Sequence, residues 1–253
     1  MATSLAQKLR TAGTLVRGTF VTLPAPGIVE IFALAGFDFV VVELEHSSLD
    51  DRDVENMARA GQARGSGVLA RVSDKSTEAI IRILATGVDG VVVPMVENAD
   101  EAAVAAAAFR RPPAGVRGWS TLSRAAGYYL RADQESDPLC CIQVETKSAV
   151  EDIARIVAVP GVDMILLGPG DLRSSLVGAG VPESQLDEAL RVAVARVVAE
   201  FSGRDWPVLC VPASYPTLKW DRETCLRNGV RAVTLSSDVA ALAGAAGQLL
   251  TAY

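Results

Sequence analysis

Four places in the sequence put polar side chains at the end of an apolar run, where they could act on a bound molecule. Val40-Val41-Val42 leads into Glu43-Leu44-Glu45-His46, Ala70 into Arg71, Ile142 into Gln143-Val144-Glu145, and Ile165-Leu166-Leu167 into Gly168-Pro169-Gly170-Asp171. In an extended strand, alternation puts Glu43 with Glu45 on one face and Gln143 with Glu145 on one face. Carboxylates gathered this way repel one another and are costly to desolvate, so positive charge must accompany them. Arg71 supplies one charge, and a divalent cation is the natural remainder. The alternative is that each carboxylate pairs with a nearby Arg or faces solvent. Ligands limited to oxygen, with no Cys or His cluster, suit Mg²⁺ or Mn²⁺ better than a structural zinc. His46 is the only histidine. Its ordinary pKa of about 6.5 suits it to take and return a proton near neutrality, and its place just past a strand makes it the candidate acid/base.

Short β-branched runs alternate with longer Ala/Leu/Ile patterns that carry charges every three or four residues. The expected strands are 18–23, 37–45, 68–72, 90–96, 139–145, 163–168, 207–211 and 232–236. Helical patterns fall at 29–35, 51–63, 77–85, 99–110, 148–157, 186–201, 217–227 and 239–252. Gly36, Gly87 and Gly229 stand where helix C-caps belong. Strands as apolar as Val91-Val92-Val93 are buried on both faces, as in a parallel sheet covered by helices. Eight such units in 253 residues predict a single-domain (β/α)8 TIM barrel, 1–253, with an open doubly wound sheet as the alternative. No Gly-x-Gly-x-x-Gly turn follows the first strand, which disfavours a dinucleotide fold. The stretch 111–138, with its Tyr128-Tyr129 pair, has no clear period; it is expected to form part of a substrate mouth, with a surface excursion as the alternative.

The chain carries 24 basic and 30 acidic residues, a formal charge of -6, and half of its residues are hydrophobic. No Lys/Arg cluster points to nucleic acid or an anionic membrane surface, and no uncharged apolar run reaches the roughly 18 residues of a membrane span. With no signal-cleavage pattern at 1–10, a cytoplasmic protein acting on small molecules is expected. The four cysteines form no Cys-x-x-Cys pair and read as reduced, buried hydrophobes. The apolar pattern 239–250 has few polar positions for a surface helix, which predicts burial against another subunit.

These residues resemble the metal-dependent class II pyruvate aldolases of the HpcH/HpaI type, which cleave 4-hydroxy-2-oxo acids such as 4-hydroxy-2-oxoheptanedioate and 2-keto-3-deoxy sugar acids. The resemblance rests on Gly36-Phe37-Asp38-Phe39 leading to Glu45-His46, Val93-Pro94-Met95-Val96, and the 111–118 run Arg-Pro-Pro-Ala-Gly-Val-Arg-Gly. It extends to Gln143-Val144-Glu145-Thr146 and to Gly161-Val162-Asp163 through Gly168-Pro169-Gly170-Asp171-Leu172. It implies that His46 is the acid/base and Arg71 the cation that stabilises an enolate. Glu145 and Asp171 become the metal ligands, Gln143, Asp171 and the backbone at Gly170 hold the pyruvyl group, and Glu43 and Glu45 stand behind the metal's water ligands. The implied cofactor is Mg²⁺ or Mn²⁺, with Co²⁺ as a further candidate; the implied substrates are a 2-oxo acid and an aldehyde; the implied assembly is a dimer that exchanges its C-terminal helix and builds hexamers. One departure stands out: the family Asp that supports the histidine, near the end of the helix at 77–85, is matched here by Ala85.

Three rival readings remain. A Schiff-base aldolase would need a lysine at a strand end, and Lys147 is the candidate by position. The same enolate chemistry could serve decarboxylation of oxaloacetate or another carbon–carbon bond-forming reaction. A non-catalytic barrel that binds a 2-oxo acid is the third.

Overall fold

The computed structural model describes residues 4–11, 13–130 and 137–252. Eight parallel strands close into a barrel in sequence order: β1 Val16–Val21, β2 Phe39–Glu43, β3 Gly67–Arg71, β4 Gly90–Val93, β5 Leu139–Val144, β6 Met164–Leu167, β7 Val208–Pro212 and β8 Val230–Ser237. The described helices are α1 Leu5–Arg10, α2 Pro26–Leu34, α3 Asp51–Ala63, α4 Thr77–Ala85, α5 Ala99–Phe109, α6 Lys147–Glu151, α7 Ile153–Ile156, α8 Pro169–Gly178, α9 Leu186–Ala199, α10 Arg222–Arg227 and α11 Asp238–Thr251. The barrel expected from the alternation is therefore present, closed rather than open.

Strand alternation divides the core in two. Phe39, Val41, Leu69, Val92, Cys141, Leu166 and Cys210 point inward and form one buried cluster, together with Leu5 and Leu9 of α1. Val40, Val42, Val68, Val91, Ile142, Ile165 and Val211 point outward and pack against the helices in a second. Helix α1, which the periodicity did not reveal, thus seals the N-terminal end of the barrel, where Arg10 also lies 4.4 Å over the Trp206 ring. The inward face of each strand continues to the C-terminal end, so the residues one step beyond the apolar layers must face the mouth. Register does the rest: Glu43 pairs with Arg71, and Gln143 with Leu166.

Gly36, Gly87 and Gly229 close α2, α4 and α10 at φ +93°, +78° and +72°, as their C-cap reading requires. All four cysteines are buried free thiols. Two readings need correction. Residues 169–178 form a helix that the sequence pattern did not show. The described parts of the 111–138 stretch, 111–130 and 137–138, lie in a helix-to-strand connection between α5 and β5, at the N-terminal end of their own barrel and not at its mouth. Arg124 fixes it there, donating to Thr86 O at 2.9 Å, Gly87 O at 3.0 Å and Gln62 Oε1 at 2.6 Å. Tyr128 donates from its hydroxyl to Glu55 Oε1 on the outer layer at 3.3 Å, and residues 131–136 of the stretch lie outside the described set.

Candidate active site

The C-terminal ends of the strands surround a cavity of about 290 Å³ lined by Glu43, His46, Arg71, Gln143 and Asp171 among others. A larger groove of about 830 Å³ runs along the outside of α9 and α10, but it is lined mainly by apolar side chains and lies away from the strand ends. The smaller cavity holds the chemistry.

At its floor, β2 and β3 deliver a buried ion pair. Arg71 Nε and Nη2 lie 2.7 and 2.6 Å from Glu43 Oε2, and Nη1 reaches Gln143 Oε1 at 3.4 Å. The other Glu43 oxygen accepts the backbone N–H groups of Glu45 at 2.7 Å and His46 at 3.0 Å. Both Glu43 oxygens are thus engaged by protein donors. The turn after β2 is consequently wrapped around Glu43, and it projects His46, mostly exposed, from the rim.

Glu45 lies 3.2 Å from Arg71 Nε and 3.8 Å from His46 Nε2, both through Oε2. That oxygen is buried and meets no donor in hydrogen-bonding geometry, because Arg71 directs its Nε–H at Glu43. Burial raises the Glu45 pKa, with Arg71 and His46 opposing and Glu43 and Asp171 adding to the rise. Glu145, at the end of β5 and 1 % exposed, accepts from Met95 N at 2.7 Å on one oxygen and from Gln143 Nε2 on the other. Burial pushes its pKa up to about 7, the Met95 N–H opposes this, and the nearby Asp171 and Glu45 charges raise it further.

Two backbone features complete the arrangement. A Cβ at Gly168 would come within 2.7 Å of Glu145 Oε2 and 2.9 Å of Gln143 Nε2, so only glycine lets β6 turn into α8 so close to those groups. Pro169 begins α8, whose first turn carries Asp171 and leaves the Gly170 and Asp171 N–H groups without acceptors inside the helix. Met95 takes φ +53°, uncommon for a side chain of its size, and Lys75 Nζ donates to its carbonyl at 3.0 Å. The strain at Met95 accompanies delivery of its N–H to Glu145.

The structure therefore brings Glu43, Glu45, His46, Arg71, Gln143, Glu145, Gly170 and Asp171 to one end of the barrel. Ala85 is at the other end: it is the last residue of α4, and its carbonyl accepts from Ala125 N at 3.3 Å. Within one chain, that position does not meet His46. Lys147 starts α6, half exposed and paired with Glu151, and does not line the cavity. Sequence reasoning missed the opposite wall, Phe20, Thr22, Pro212, Tyr215 and Thr234, and it missed Asp238 behind that wall. Asp238 is 1 % exposed and accepts from Thr22 N at 3.0 Å, Thr22 Oγ1 at 2.9 Å and Leu23 N at 2.9 Å. The Ser236-Ser237-Asp238 run closing β8 was the available signal.

Glu43 and Glu145 are buried and Glu45 half-buried beside one buried cation, Arg71, with Asp171 exposed above them, and one buried oxygen, Glu45 Oε2, has no donor. Such a set fits a hard, oxygen-preferring divalent cation. Among the described residues no three acidic, His or Cys side chains surround a common point; the two protein ligands that the resemblance implies are Glu145 and Asp171. That small number suits an ion that keeps several waters and binds substrate oxygens.

Residues 17–244 match the HpcH/HpaI aldolase/citrate lyase family. The chain belongs to that family. It is 32% identical over 239 residues to the 2-dehydro-3,6-dideoxy-6-sulfogluconate aldolase of Pseudomonas putida, covering 93% of this chain and 91% of that one. It is 35% identical over 176 residues to the 4-hydroxy-2-oxo-heptane-1,7-dioate aldolase of Salmonella dublin, with 67% of each chain covered. The crystal structure of an HpcH/HpaI aldolase/citrate lyase family protein from Burkholderia cenocepacia superposes with a TM-score of 0.87 at 30% identity, over 98% of both chains. This family member is a carbon–carbon lyase.

Proposed function

We propose that this lyase is a divalent-cation-dependent aldolase that joins the methyl carbon of pyruvate to an aldehyde and cleaves the resulting 4-hydroxy-2-oxo acid. The observation that carries the reading is the buried carboxyl group of Glu145 beside Asp171 and the donorless oxygen of Glu45, an acidic surplus at the strand ends. A cation held by Glu145 and Asp171, Mg²⁺ or Mn²⁺ with Co²⁺ as a third candidate, would withdraw charge from the ketone of a 2-oxo acid.

The chain's own groups do the remainder. The N–H groups at Gly170 and Asp171, at the positive end of α8, receive the substrate carboxylate. The Gln143 side chain orients the ketone, and Arg71 shares the negative charge that develops on the enolate oxygen. Glu43 holds Arg71, and Glu45, whose Oε2 lies beside Arg71 without accepting a hydrogen bond, would have that oxygen available to a water near a bound cation. His46 takes the proton of the 4-hydroxyl, directly or through a water, as the bond between carbons 3 and 4 breaks. The enolate is then protonated to pyruvate. The exposed apolar side chains of α11, Val239, Leu242, Leu249 and Leu250, support a homo-oligomer in which a second copy covers them.

Exchange of the pyruvate methyl protons in deuterated water tests the reading without knowledge of the aldehyde. Exchange is expected with Mg²⁺, Mn²⁺ or Co²⁺ and should stop on adding EDTA. Silence with all three ions overturns the reading, and borohydride trapping of a pyruvate adduct would point to Lys147 instead.

A further inference from the structure

The cavity is two-sided. Glu43, Arg71, Gln143 and Asp171 come from β2, β3, β5 and α8, whereas the β1, β7 and β8 side offers Phe20, Thr22, Pro212, Tyr215 and Thr234, none of them charged. The uncharged wall is firmly built. Tyr215 is set by a turn after β7 in which its N–H donates to Pro212 O at 2.9 Å, and its own carbonyl accepts from Leu218 N at 2.9 Å and Lys219 N at 3.0 Å. Thr22 is fixed through its N–H and its hydroxyl by the buried Asp238. The Phe20 ring lies 5.4 Å from the Arg71 guanidinium and so separates the two sides.

With the oxo acid on the charged side, its carbonyl partner must lie against this wall. Among the described lining residues Arg71 is the one basic residue besides His46, and its guanidinium is committed to Glu43 and Glu45. A carboxylate or sulfonate tail laid against this wall would meet no unengaged guanidinium or ammonium there and would lose hydration without compensation. A neutral tail meets the faces of Phe20, Pro212 and Tyr215 at no such cost. The volume of about 290 Å³ is at the lower end for small-molecule sites, so a short chain fits beside the pyruvyl group.

We propose that the partner aldehyde is short and uncharged, an alkyl aldehyde or a hydroxyaldehyde, selected by the wall of Phe20, Thr22, Pro212 and Tyr215; this inference rests on the aldolase reading. The Pseudomonas putida and Salmonella dublin relatives, by contrast, carry names that specify a sulfonated and a dicarboxylic substrate.

The test compares kcat/KM for propionaldehyde, glycolaldehyde and succinic semialdehyde, each with pyruvate and Mn²⁺, alongside methyl-proton exchange of pyruvate alone. The neutral aldehydes are expected to exceed succinic semialdehyde by at least about tenfold. Tyr215→Arg should shift that ratio toward succinic semialdehyde. Pyruvate exchange with equal or better use of succinic semialdehyde overturns the subsite and leaves the aldolase reading standing. Absence of exchange with every ion overturns both.

Discussion

Arg71 closes on a single oxygen of Glu43, with Nε at 2.7 Å and Nη2 at 2.6 Å from Oε2, while Oε1 of the same carboxylate is capped by two backbone N–H groups of the following turn. One buried side chain thereby orients the guanidinium and shapes the loop that presents His46.

Glu43→Gln keeps an acceptor for the turn but removes the charge that compensates Arg71. Breaking a buried pair on one side costs about 3–5 kcal/mol, and the nearby Glu45 should bring the loss to the lower end. Urea unfolding measures it; a loss below about 1 kcal/mol, the range of exposed pairs, would show that Glu43 does not hold Arg71.

The pH dependence follows from Glu145. Its folded pKa, pushed up to about 7 chiefly by burial, exceeds the ordinary 4.5. The folded cation-free chain therefore binds the extra proton, and this contribution is fully present below 4.5 and lost as pH rises through about 7. Thermal unfolding without cation should show falling stability across that interval. Added Mn²⁺ competes with the proton, so its stabilising effect should grow over the same interval, and Glu145→Gln should flatten both trends. A Mn²⁺-induced rise in Tm that ignores pH would argue against Glu145 as a ligand.

His46 and Glu145 should separate in their effects. His46→Ala is expected to lower aldol turnover by about 10²–10⁴ while sparing Mn²⁺ affinity, because the imidazole stands at the rim and not beside Glu145. Glu145→Ala should lose both. Calorimetric titration with Mn²⁺ and initial rates resolve the two, and full activity of His46→Ala would remove it from the acid/base role.

Asp238→Ala leaves three donors on Thr22 and Leu23 without their buried acceptor, a loss expected at about 2–4 kcal/mol. Because Thr22 lines the wall opposite the acidic cluster, KM for the aldehyde should rise while Mn²⁺ affinity holds, and Asp238→Asn should rescue part of the change. Equal losses in both would mark Asp238 as a purely structural residue.

Assembly should depend on α11. Leu242→Glu combined with Leu249→Glu places charge on its exposed apolar side chains and is expected to lower the molecular mass measured by light scattering, with the barrel's circular dichroism retained. An unchanged mass would show that α11 is not the contact.

The strand ends were legible because two local regularities coincide there. Period-two alternation sent Glu43, Arg71, Gln143 and Glu145 to the inner face, and the apolar runs before them marked where that face reaches the mouth. Helix α8 escaped notice because Gly170 and the polar residues after it show little helical periodicity; its start is dictated by Pro169 following β6. The composition of the 111–138 stretch suggests a functional loop, but the position of its described residues between a helix and the next strand fixes the barrel face they occupy and favours the surface excursion.

By itself the sequence determined which residues are apolar, which polar residues end each run, and how many strands share the chain, since these depend on neighbours within a few positions. The tertiary structure alone decided that Glu43 spends both its oxygens on protein donors, that Glu45 keeps one without a donor, and that Asp238, 216 residues from Thr22, fixes the opposite wall. Closing a barrel joins its first strand to its last, and side chains that meet across that seam or over the mouth carry no trace of the meeting in their local spacing.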